Sequence, residues 1–117
     1  MKNILILIMT LTPFMFGAER DVNAIWCAGM GGDDQFITKD GTYVDCLTNE
    51  YAIEAEYDYN WKEAIGQSLH YAESTNKKAG ILFIQRAKSK KDYLNEMLRV
   101  IKKYQLPIKV FIIKEES

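Results

Sequence analysis

Residues 42–58 read Thr42-Tyr43-Val44-Asp45-Cys46-Leu47-Thr48-Asn49-Glu50-Tyr51-Ala52-Ile53-Glu54-Ala55-Glu56-Tyr57-Asp58. Two runs rich in β-branched and aromatic residues flank the turn-forming pair Asn49-Glu50, which is the pattern of a β-hairpin. If Asn49 and Glu50 are the two loop residues, opposite positions carry numbers that sum to 99, and Asp45 stands across from Glu54. Directly opposed residues project from the same face about 5 Å apart, and Glu56 lies two residues further along that face. Three carboxylates then share one surface, and Val44, Cys46, Ile53, Ala55 and Tyr57 take the other. Facing like charges destabilise a sheet, so something must offset them. A divalent cation held by oxygen ligands is one answer, with Mg2+ or Mn2+ suited to such a set. A solvated acidic face without metal is the other.

Upstream, Asp40-Gly41 separates Gln35–Thr38 from Thr42–Leu47 and marks a second hairpin. Before it, Val22, Ile25, Trp26 and Gly29 recur at helical spacing, and Gly31-Gly32 ends the pattern, so a helix over about 21–29 is expected. Downstream, Trp61, Ala64, Ile65, Ser68, Leu69 and Ala72 fall on one helical face within 61–74. Ala79–Gln85 is a continuous apolar run of strand length, as a strand buried on both faces requires. Ser89 followed three residues later by Asp92 reads as a capping box before a helix carrying Leu94, Met97, Leu98 and Ile101. Pro107 closes that connection, and Ile108–Lys114 is a last strand. The order α-β-β-β-α-β-α-β defines an α/β domain, a mixed β-sheet flanked by helices.

The N-terminus reads as an export signal. Lys2 supplies a short positive start, Ile4–Phe16 is mostly apolar, and Gly17-Ala18 precedes the charged Glu19-Arg20-Asp21. The apolar run falls short of the roughly 20 residues that a membrane-crossing helix needs. The expectation is a signal peptide over 1–18, a single domain over 19–117, a periplasmic or secreted location and no stable membrane insertion after cleavage. A retained N-terminal anchor is the alternative. In an oxidising compartment Cys27 and Cys46, the two cysteines of the chain, favour a disulfide, and two buried thiols are the other outcome.

Charge is segregated along the chain. Residues 19–74 hold 12 acidic and 3 basic residues, whereas 75–117 hold 11 basic and 4 acidic. The formal net charge of -1 excludes a broadly basic, nucleic-acid-coating protein. The run Arg86, Lys88, Lys90, Lys91 reads either as a phosphate-binding patch or as a solvated helix start.

Asp45, then Glu54-Ala55-Glu56 on the next strand, then a helix with Gln67 and Tyr71 four residues apart, resembles the PD-(D/E)XK, or restriction-endonuclease-like, superfamily. The Gln-x-x-x-Tyr element is similar to that in nuclease domains of bacterial recombination helicase-nucleases. The segments from Val44 to Thr48, Tyr51 to Glu54 and Trp61 to Gln67 are similar to small, often exported bacterial proteins of this fold. The resemblance implies a Mg2+- or Mn2+-dependent phosphodiesterase, a nuclease-like hydrolase, with Asp45, Glu54 and Glu56 as catalytic metal ligands. It also implies Gln67, Tyr71 and position 60 on the substrate side, and a lysine that steers the phosphate.

That lysine is where the chain departs. Two residues beyond Glu54 stands Glu56, and beyond Glu56 stands Asp58. With Trp61 at 0°, Gln67 falls at about 240°, Tyr71 at about 280° and position 60 at about 260°, so a lysine at 60 would share their edge. Residue 60 is Asn. Lys62 falls at about 100°, and its long stem makes it the candidate lysine. A carboxylate common in the narrower group is replaced by Gln35. Besides the nuclease reading stands a catalytically degenerate module that binds a protein or nucleic-acid partner, and a structural envelope protein is the third class.

Overall fold

The computed structural model describes residues 4–6 and 19–116. Its elements are β1 (Ile4–Ile6), α1 (Glu19–Gly29), β2 (Asp33–Ile37), β3 (Tyr43–Leu47), β4 (Tyr51–Tyr57), α2 (Trp61–Thr75), β5 (Lys78–Gln85), α3 (Tyr93–Lys103) and β6 (Ile108–Lys114), with a 3-10 turn at Asp58–Asn60 before α2. From α1 onward the order is the expected one. The strands form one mixed sheet in the order β1-β6-β5-β4-β3-β2. β2, β3 and β4 are antiparallel neighbours, whereas β4-β5, β5-β6 and β6-β1 are parallel. The export signal falls mainly on residues outside the described set; its Ile4–Ile6 is strand β1, beside β6.

Alternation along β5 explains its unbroken apolar run. Leu82 and Ile84 point to one face, where they meet Val22, Trp26 and Cys27 of α1 together with Ile53, Ala55, Phe111 and Ile113. Ile81 and Phe83 point to the other, against Trp61 and Ala64 of α2 and Met97 of α3. The domain is therefore three layers, with α1 on one side of the sheet and α2 and α3 on the other. The stripe expected on α2 is the one buried. Asn76 ends α2 in the left-handed conformation that relieves the last carbonyls.

The cap of α3 differs from expectation. Asp92 accepts from the Asn95 backbone N–H at 3.1 Å, whereas the Ser89 hydroxyl bonds the buried Asp58 carboxylate. Asp58 also takes Arg86 Nε at 2.8 Å, so Ser89 and Arg86 neutralise a buried charge instead of opening the helix.

Cys27 and Cys46 form a disulfide that ties α1 to β3, with both residues fully buried. Gly32, just after α1, runs so close to it that an added Cβ would lie 2.8 Å from Cys46 Sγ and 2.9 Å from Cys27 Sγ.

Candidate functional site

The site begins with an interruption in the ladder. Thr48 N–H donates to the Tyr51 carbonyl at 2.9 Å, which leaves Asn49 and Glu50 as the loop. The register is Cys46 opposite Ile53 and Leu47 opposite Ala52, so the numbers do sum to 99. Backbone pairing stops before Asp45 and Glu54. There the Asp45 carboxylate takes the place of a backbone acceptor: Ala55 N–H donates to its Oδ2 at 2.8 Å. On the far side of β3, Gln35 has a φ of 56° and breaks the β2 ladder opposite Asp45. The Asn23 side chain of α1 donates to the Asp45 carbonyl at 2.8 Å.

This break corrects one expectation. Val44 does not share a face with Cys46; it packs with Ala52 and Tyr71 on the α2 side, whereas Cys46 belongs to the α1 side. A regular pleat cannot do this. The chain turns over at Asp45, which leaves its carboxylate in the parting between β3 and β4.

Glu54 is 2% exposed, and its carboxyl lies against those of Asp45 and Glu56. With its nitrogen facing the acceptors, the Gln67 amide donates to both Glu54 oxygens, at 3.2 Å from Oε1. The buried Tyr71 phenol lies beside the same carboxyl. Burial first, and then Asp45, push the Glu54 carboxyl up to about 11. Burial, reinforced by Glu54 and Asp45, also raises the Tyr71 phenol well above its ordinary value. The sheet and α2 thus bring together Asp45, Glu54, Glu56, Gln67 and Tyr71. Asn60 joins them by donating to Glu56 Oε1 at 3.4 Å.

Lys62 lies elsewhere. Its ammonium sits over the Trp61 ring, 5.8 Å from the centroid, and faces Glu96 of α3. The first turn of α2 holds it on the α3 side, as its position on the helical wheel dictates.

Sequence reasoning missed two residues of α1. Glu19 packs against the cluster, and burial followed by Glu56, Asp45 and Glu63 raises its carboxyl to about 7. Asn23 is 1% exposed. The signal was their spacing of four, which puts both on one helical face; reading Glu19 only as the flank of a cleavage site hid it. Both line a cavity of about 140 Å³ with Arg20, Gln35, Asp45 and Ala55. Arg20 is the cation of that cavity.

Among the described residues no three His, Cys, Asp or Glu side chains converge closely enough to cage a metal ion by themselves. The donor set nevertheless suits Mg2+, which keeps several waters and takes one or two carboxylates plus substrate oxygens. The observation behind that fit is Glu54, a buried carboxyl pressed against two others, which requires either a proton or a cation to be neutral.

No family model matches the chain, and no solved structure matches it. Over 93 residues it is 32% identical to "Putative KilA-N domain-containing protein L33" of Acanthamoeba polyphaga mimivirus, a match covering 80% of this chain and 37% of that protein. Its similarity to the KilA-N domain-containing protein R878 of the same virus is 35% identity over 74 residues, covering 63% of this chain and 20% of the relative. For protein L32 of that virus the identity is 31% over 90 residues, covering 77% and 24%. The chain therefore spans less than two fifths of the length of the curated relatives it matches, and their names describe those whole proteins.

Proposed function

We propose that the chain is an exported, divalent-cation-dependent phosphodiesterase of restriction-endonuclease-like architecture. The observation that carries the reading is the buried Glu54 carboxyl packed against Asp45 and Glu56, bonded by Gln67 and flanked by Tyr71. In this reading Asp45 and Glu54 hold Mg2+ or Mn2+, with Glu56 beside them. The bound ion supplies a more acidic water and offsets charge on the phosphate. Gln67 and Tyr71 fix the Glu54 rotamer, so that its oxygens are set before the ion binds. Arg20, at the cavity beside Asp45, is the side chain positioned to bind a phosphate oxygen; its planar fork suits that role. Export accords with the Cys27–Cys46 bridge, since disulfides persist in oxidising compartments. No helix among the described residues is long and apolar enough to cross a membrane.

A second reading, a binding module that keeps the fold without turnover, is favoured by one observation. Asn60 occupies the place next to Glu56 where a lysine belongs, and Lys62 faces away. Cleavage of a labelled phosphodiester oligonucleotide in Mg2+ or Mn2+ separates the two. The expected result is slow cleavage by the wild type, abolished in Glu54→Gln, lowered in Arg20→Ala and unchanged in kcat in Lys62→Ala. Asn60→Lys should raise the rate, since a preorganised charge at a transferring phosphate is worth ~10²-fold. Loss of kcat at saturating substrate in Lys62→Ala would make Lys62 the catalytic lysine. Absence of cleavage in both wild type and Asn60→Lys would favour the module.

A further inference from the structure

Three basic residues of the second half of the sequence, Lys91, Arg99 and Lys103, meet Lys62 beside the first turn of α2. A groove of about 460 Å³ runs between that turn and α3, with Trp61 and Val100 as its apolar floor and Lys62, Lys91, Arg99 and Lys103 around it. One carboxylate, Glu96, faces it. Glu96 is already engaged by Lys91 Nζ at 3.2 Å and by Trp61 Nε1 at 3.2 Å. Lys62, Arg99 and Lys103 form no ion pair among the described residues. Three cations are thus left unneutralised along one groove, in a domain whose other half is acidic.

We propose that this groove is a docking track for the phosphate backbone of a single-stranded nucleic acid. Three features select that occupant. Arg99 and Lys103 are one helical turn apart, about 6 Å along α3, so their charges line up as a row and do not converge on a point. Tyr104 at the end of the row is 65% exposed and offers a ring on which an unpaired base can stack. Trp61, in the floor of the groove, follows Asn60, which contacts Glu56. The groove therefore adjoins the carboxylate cluster through Trp61 and Asn60. A membrane surface is a poorer fit, because interfacial binding needs an apolar face to insert and this floor is recessed between cations.

The proposal rests on the phosphodiesterase reading for its purpose but not for its test. Fluorescence anisotropy with a labelled single-stranded oligonucleotide, in chelator so that nothing is cut, measures binding alone. The double substitution Arg99→Glu/Lys103→Glu alters two exposed side chains, and unchanged circular dichroism checks its fold. The expected result is binding at least 10-fold weaker than wild type at low salt. Each lost phosphate contact should also make the log–log salt dependence shallower by ~0.7. Tyr104→Ala should weaken binding while leaving that slope unchanged. Wild-type protein that does not bind the oligonucleotide, equal binding by the double variant, or preference for phosphatidylglycerol vesicles over the oligonucleotide would each overturn the proposal. In the cleavage assay the same double variant should raise KM and leave kcat, so a failed groove and a failed catalytic site give different results.

Discussion

Glu54→Gln is expected to stabilise the cation-free protein by about 3 kcal/mol at pH 7 and by nothing measurable at pH 4. The sign follows from the direction of the shift. Burial beside Asp45 raises the folded carboxyl from 4.5 to about 11, so folding favours the protonated form. Below pH 4.5 folded and unfolded chains are both protonated there, and the full stability is present. As pH rises from 4.5 toward 11 the unfolded state gains by ionising while the folded state cannot, and stability falls. Glutamine keeps the shape of the protonated acid and removes the titration. Glu19 works in the same direction over a narrower window, because its carboxyl is raised to about 7. Melting temperatures of wild type and Glu54→Gln from pH 4 to 9 in chelator should diverge steadily. Parallel curves would mean that Glu54 ionises freely and that no cation is needed there.

Gly32→Ala should be comparably large in the opposite direction. The new methyl would meet both sulfurs of the Cys27–Cys46 bridge under 3 Å and the Leu47 carbonyl at 3.0 Å. A disulfide between a helix and a strand cannot swing away as a side-chain end can. A cost of about 1–3 kcal/mol is expected for overpacking of this kind. Breaking the bridge with Cys27→Ala/Cys46→Ala should cost about 3 kcal/mol, which for a domain of this size lowers the melting temperature by on the order of 15 °C. The two changes should not add: in the double-alanine background the sulfurs are gone and Gly32→Ala should cost little. Additive losses would show that Gly32 matters for a reason other than its contact with the bridge.

The hairpin register and the helical stripe of α2 were legible because each depends on local periodicity. A two-residue turn sets the sum of 99, and a spacing of three and four sets the face of Trp61, Ala64 and Ser68. The register would put Asp45 across from Glu54, but the pairing stops one step short of them and the Asp45 carboxylate takes a ladder position instead. What escaped is non-local or breaks a period. Val44 changes sides because Gln35 adopts a positive φ and the Asp45 side chain takes over a ladder position, neither of which residue type announces. Glu19 and Asn23 reach the site only through the packing of α1. Ser89 had the spacing of a cap, but the buried charge of Asp58, 31 residues away, claimed it. Lys62 was placed by helical phase on the α3 side, and the length of its stem did not override that phase.

Calorimetric titration of Mn2+ into the wild-type protein and Asp45→Ala is the decisive measurement for the proposed divalent-cation site at Asp45 and Glu54. Saturable binding by the wild type is predicted, with proton release as the shared carboxyl proton gives way to the ion, and with loss of that binding in Asp45→Ala. Mn2+ heats that are absent from the wild type, or the same in both proteins, would show that Asp45 and Glu54 hold no such ion.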